Sequence, residues 1–164
     1  MNAGTRLGAF CDAVESVRAI RMSDGADVRL DRAALRPGYR ECPGLAGHVA
    51  VSARLRLSRA TPASVAAAMD AAAARRFDFT GLRSCGSAFR NPPPPSPSAG
   101  ALSERAGCKG LTVGGAFVSE RHGNIVATRP GATASDIEAL FEIVARRVEA
   151  SSGIRLAPEV RILR

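Results

Sequence analysis

The 164-residue chain carries 23 Lys and Arg against 15 Asp and Glu, a formal net charge of +8, with 46% hydrophobic and 4% aromatic residues. That length makes one domain, or one and a half small ones, with enough apolar material for a core. No run approaches the ~20 apolar residues of a membrane-spanning helix, and no export signal opens the chain. Cys11, Cys42, Cys85 and Cys108 are far apart, with no C-x-x-C, so they suggest neither a disulfide framework nor a zinc site, and the chain is assigned to the reducing cytoplasm.

The charge surplus is almost all arginine, scattered from Arg6 to Arg164, with Lys109 the one lysine. A nucleic-acid binder would gather its arginines on one face, and the aromatics are too few for base stacking. A small anionic ligand, a nucleotide diphosphate or a carboxylate, accounts for the surplus equally well, as does a plain Ala- and Arg-rich composition.

In chain order, residues 13–30 alternate around Asp24-Gly25 and predict a β-hairpin. The turn "RPGYRE" follows. Residues 49–57 put Val49, Val51, Ala53, Leu55 and Leu57 on one face and predict a half-buried strand. Thr61-Pro62 supplies a cap and a first-turn proline for an alanine-rich helix to about Arg76. The composition changes there, which places a domain boundary near residue 60. A helix from Ala99 to Ala106 stops at Gly107, and strands are expected over 111–119 and 123–129. Thr133 and Asp136 open a last helix as a capping-box variant, with Ile137, Leu140, Phe141, Val144 and Val148 on one face and Gly153 at its end. The closing "EVRILR" alternates again and reads as a strand. The expected class is α+β.

Between the first and second helical patterns stands "SCGSAFRNPPPPSPSAG", residues 84–100. Its prolines read as a stiff spacer, while Gly86-Ser87 and Arg90-Asn91 in front of them read as the edge of a site. The order "MNAG", "GYR", "CGSAFRNP", "AGALSERAGCKGLTVGGAFVSERHGNIVATRPGATASDI" and "GIRLAPEVRIL" resembles the UDP-N-acetylenolpyruvoylglucosamine reductase family over nearly the whole chain. Each piece alone is weak; five in order are specific. The lack of a second tyrosine between Tyr39-Arg40 and Ser87 resembles the branch without an extra substrate-covering loop. On this resemblance the prolines continue an active-site loop whose motif ends at Asn91-Pro92.

The resemblance implies a cytoplasmic flavoenzyme of peptidoglycan synthesis, in which NADPH reduces FAD and the flavin passes hydride to the enolpyruvyl ether of a nucleotide-sugar. It implies Arg40 as the cation on the substrate carboxylate, Glu159 as a second carboxylate-facing group and Ser87 as the proton donor. Asn2, Ala3, Gly4 and Arg161 are implied on the cofactor side, and Tyr39, Arg90, Asn91 and Lys109 on the substrate side; no metal is implied. It also implies domains at 1–59 (the end of an FAD-binding domain) and 60–158 (substrate-binding), with a strand at 159–164 returning to the first. In the family pattern "MNAG" is internal, so the chain is expected to be truncated at its N-terminus and to lack the flavin-wrapping loops. On residue type alone, Arg40 reads as a solvated turn arginine, Ser87 as a turn serine, Glu159 as the start of an edge strand and His122 as a structural histidine. An inactive fragment and a stand-alone nucleotide-sugar-binding module are the alternative readings. Two departures stand out: Thr128 where the family has Asn, and Glu41 where it has Ser.

Overall fold

The alternation on either side of Asp24-Gly25 closes into an antiparallel pair in the computed structural model, which describes residues 2–5, 7–74 and 81–162. A short pair, β1 (Gly4–Thr5) and β2 (Gly8–Ala9), precedes it. In the hairpin of β3 (Val14–Arg21) and β4 (Asp27–Asp31), Val17 faces Leu30 and Ala19 faces Val28, so these four share one face and Arg18 and Arg29 the other. Asp31 caps the single turn α1 (Arg32–Leu35) by accepting the Ala34 N–H at 2.8 Å. The strand β5 (His48–Leu55) pairs with the other side of β3, giving the order β4-β3-β5. Cys11, Val14, Val17, Ala19 and Leu35 form the buried cluster of this sheet.

The expected buried face on residues 49–57 is corrected by the structure. Val49 and Val51 are more than half exposed, and Leu57 lies beyond the strand at 77% exposure. Ala53 sits opposite Val17, yet Ala50, not Val51, sits opposite Ala19. This irregularity breaks the period of two, turns Val49 to the far face opposite Ile20, and leaves an edge strand with little above it.

Thr61 Oγ1 accepts the Ser64 N–H at 3.2 Å and so caps α2 (Pro62–Ala74), a helix with no buried residue. The expected end near Arg76 lies outside the described residues. The chain divides into two compact units, Met1–Arg76 and Phe77–Arg164, so this helix goes with the first. The change of composition near residue 60 therefore marks a helix start.

The second unit holds β6 (Arg83–Ser87), α3 (Ala99–Arg105), β7 (Thr112–Val113), β8 (Ala116–Val118), β9 (Ile125–Thr128) and α4 (Ala134–Ser152). Its antiparallel sheet has the order β6-β9-β8-β7. The single strand expected over 111–119 is a hairpin, because Gly114 (φ +51) and Gly115 make a two-residue turn between Val113 and Ala116. Ser98 caps α3, whose chain turns away at Gly107 with φ +65. The helix α4 has the expected reciprocal cap of Thr133 and Asp136, and its stripe Leu140, Phe141, Val144, Ala145 and Val148 is buried against Phe89, Leu102, Val118 and Val126.

The strand expected at 159–164 is also corrected: residues 159–162, those described, form none. The segment makes one bridge, Phe89 with Pro158, flanked by Arg90 N–H to Ala157 O at 2.9 Å and Glu159 N–H to Ala88 O at 2.8 Å. A continuing ladder would spend the Ala88 N–H on Glu159 O, but that N–H donates to Asn124 O at 2.8 Å, so the pairing does not extend. The protein is thus α+β with antiparallel sheets, and no helix among the described residues is long and apolar enough to cross a membrane.

Candidate functional site

In the first unit, Tyr39 and Arg40 are the central residues of a tight turn closed by Gly38 N–H to Glu41 O at 3.1 Å. Arg40 has φ +56, a left-handed conformation that a turn of this kind normally gives to glycine. A non-glycine residue held there costs about 1–3 kcal/mol, and such strain concentrates where a side chain must be presented in one direction. The Arg40 guanidinium lies 5.1 Å from the centroid of the Tyr39 ring, and a Cβ on Gly4 would come within 3.1 Å of Arg40 Nη1. The Glu41 carboxylate folds back over Gly38, where a Cβ would meet Glu41 Oε1 at 2.7 Å. The buried Asn2 ties the two segments together, its Nδ2 donating to Gly38 O at 3.1 Å and its Oδ1 accepting from Cys11 N–H at 2.9 Å. Asn2, Ala3, Gly4, Tyr39 and Arg40, 35 or more positions apart in the chain, thus form one locality.

In the second unit, Ser87 ends β6 and is exposed, while the next two residues, Ala88 and Phe89, are fully buried. Phe89 packs on Phe141 with ring centroids 5.2 Å apart. The pairing with 157–159 then sets Glu159 against Ala88, one residue from Ser87. Asn91 Oδ1 accepts the Ala99 N–H at 3.0 Å, which closes the proline run as a loop leading into α3. The Arg90 Nε is buried and has no hydrogen-bond partner, an arrangement that normally signals a missing acceptor. Lys109 pairs with Glu104 at 3.3 Å, and the Glu104 carboxyl is held below its ordinary value first by the Gly123 N–H and then, against some desolvation, by Lys109. Arg161 is exposed.

Residues 78–163 match the family described as UDP-N-acetylenolpyruvoylglucosamine reductase, C-terminal domain. The chain belongs to that family. It is 39% identical to the UDP-N-acetylenolpyruvoylglucosamine reductase of Desulfosudis oleivorans over 99% of this chain and 54% of that protein. It is 40% identical to that of Paracoccus denitrificans over 98% of this chain and 56% of that protein. The crystal structure of the reductase (MurB) from Thermus caldophilus superposes with a TM-score of 0.80 at 34% identity, covering 98% of this chain and 57% of that one. The chain spans about half the length of the curated relatives it matches.

The reductase loop has one holder that sequence reasoning passed over. Asn124, 4% exposed, accepts the Phe89 N–H and donates to Phe89 O, both at 2.9 Å, while its own carbonyl accepts the Ala88 N–H at 2.8 Å. Its amide thus stands in for a strand neighbour at the point where β6 leaves its ladder. The signal was in "RHGN", where His122 drew attention first. His122 Nδ1 accepts the Asn124 N–H at 3.0 Å, a structural hydrogen bond.

Proposed function

We propose that this chain carries substrate-handling residues of an oxidoreductase that converts UDP-N-acetylglucosamine enolpyruvate to UDP-N-acetylmuramate for peptidoglycan, in the cytoplasm, with FAD and NADPH as cofactors. The carrying observation is the Ser87 loop: an exposed hydroxyl at the end of β6, anchored by Asn124 on one side and by the Glu159 segment on the other. Reduction adds a hydride and a proton across the enolpyruvyl double bond, and the hydride is what the cofactors supply when bound. In this reading Ser87 Oγ delivers the proton to the carbon beside the carboxylate, a role worth about 10²–10⁴-fold. Arg40, with a rigid guanidinium fork, holds that carboxylate, and Glu159 faces it as a hydrogen-bonding acid. Arg90, with its buried unpartnered Nε, receives an anionic oxygen of the nucleotide-sugar.

The Asn2-Ala3-Gly4 edge does not by itself fit a flavin. Both ends of the Asn2 amide serve the fold, and Ala3 O already accepts the Phe10 N–H at 2.6 Å. What remains is the Ala3-Gly4 backbone beside Arg40, too little to meet two phosphate charges. FAD and NADPH are therefore proposed for the longer protein that the relatives represent, and Arg161 is proposed only as an accessory on that side.

The test is the Ser87→Ala variant in a full-length enzyme. Stopped-flow absorbance should show the NADPH-dependent change at wild-type speed and the substrate-dependent change slowed about 10²–10⁴-fold. A substrate phase at wild-type speed would remove Ser87 as proton donor. The second reading, a nucleotide-sugar-binding module, is favoured by the self-contained core around Phe89. Calorimetry of this chain with UDP-N-acetylglucosamine separates the two, since a module binds it without flavin.

A further inference from the structure

Two of the four cysteines sit together in the first unit, on segments that nothing above uses chemically. Cys11 lies in the single helical turn Phe10–Asp12 and is 6% exposed; its backbone is held by Asn2. Cys42 stands just before the turn Pro43–Leu45, half-buried, its Sγ donating to Leu35 O at 3.3 Å. Cys42 packs against the buried cluster that contains Cys11. Both line a cavity of about 360 Å³ walled by Phe10, Val14, Leu35 and Leu45, which gives a small reagent a route to them. Cys85, exposed on β6, and Cys108, buried after α3, belong to the other unit and act as internal controls.

We propose that Cys11 and Cys42 are a redox modification site that closes to a reversible disulfide when the protein meets a peroxide. The Cys42 thiolate, the more accessible, attacks one peroxide oxygen; the O–O bond breaks, leaving a sulfenic acid on Cys42 and releasing hydroxide. The Cys11 sulfur then attacks the Cys42 sulfur, the S–O bond breaks, and a second hydroxide leaves as the S–S bond forms. The two thiol protons convert the two hydroxides to water: the dithiol is oxidised by two electrons and the peroxide reduced by two. Burial, and next the neighbouring Cys42 charge, hold the Cys11 thiol above its ordinary value, so Cys11 is the resolving and Cys42 the first-oxidised partner. The bond would tether residue 42, two positions from Arg40, to the turn that Asn2 anchors, and so couple oxidation to the turn that presents Arg40.

The experiment treats the full chain with hydrogen peroxide, blocks remaining thiols, unfolds it without reductant and digests it with trypsin. Mass spectrometry should find peptide 7–18 joined to peptide 41–54 with the loss of two hydrogens, and two fewer free thiols. Dithiothreitol should restore both thiols. The Cys85→Ser chain should keep the link, and Cys42→Ser should lose it. Hydrogen exchange at residues 38–42 should slow on oxidation and recover on reduction. A bridge through Cys85 or Cys108, a link only between separate chains, or both thiols unlinked after Cys85 has been consumed would each overturn the proposal.

Discussion

The two units use the same Ala-, Val- and Arg-rich vocabulary and reach different results. Around Phe89 and α4, fourteen residues are buried in one cluster; around β3, among the described residues, only five are. The contrast is clearest in the helices. α4 gathers Leu140, Phe141, Val144 and Val148 into a stripe that a sheet can cover. α2 spreads alanine over every face, has no stripe, and buries none of its residues. The first unit leaves Leu7, Phe10, Val49, Val51, Leu57, Val65 and Met69 exposed. Apolar content alone does not make a core; it must be placed on one side of an element that has something to face.

Four measurements bear on this contrast, from the largest expected effect to the smallest. Phe89→Ala removes the ring packed on Phe141 and should lower stability by about 3–5 kcal/mol in denaturant unfolding, whereas Leu57→Ala should stay within about 0.5 kcal/mol. Equal effects would erase the difference between the units. Asn124→Ala leaves both Phe89 backbone groups without partners and should cost roughly 2–4 kcal/mol, with faster hydrogen exchange at the Phe89 amide. If that amide stays protected, the clamp is not what holds the Ser87 loop. Gly44→Ala probes a tightly packed point of the first unit, where a Cβ would run into Ala34 O and lie 2.6 Å from Leu35 Cα. A loss of about 1–3 kcal/mol is expected, and no loss would mean that α1 is loose on its neighbour.

The smallest effect concerns the start of α4. Thr133→Ala should cost about 1 kcal/mol. The Asp136 carboxyl is held below its ordinary value first by the Thr133 N–H and then by the Gly115 N–H. Because the folded value is the lower one, this contribution is present above the unfolded Asp value, about pH 4, and is lost as pH falls through the folded value. Acid titration of Asp136→Asn should therefore lack that part of the wild-type slope. An identical slope would assign the cap no acid-linked role.

How much of this was legible follows from the range of the interactions involved. The Asp24-Gly25 hairpin, the Thr61 and Thr133 caps, the α4 stripe and the stops at Gly107 and Gly153 are decided within a few residues by backbone sterics and local hydrogen bonds, so the sequence alone determined them. The motif order from "GYR" to "APEV" likewise pointed to the family without any structure. Other features depend on partners far along the chain. The skipped Val51 in β5 depends on its register with β3, the single bridge at Pro158 on Phe89, and the exposure of α2 on the lack of an opposing face. Asn124 gained its role only because β6 leaves its ladder 35 positions earlier, at Phe89. The left-handed Arg40 beside Gly4 and the cavity shared by Cys11 and Cys42 were equally invisible in one dimension, since spacing along a chain says nothing about which distant backbone will be close enough to constrain a side chain.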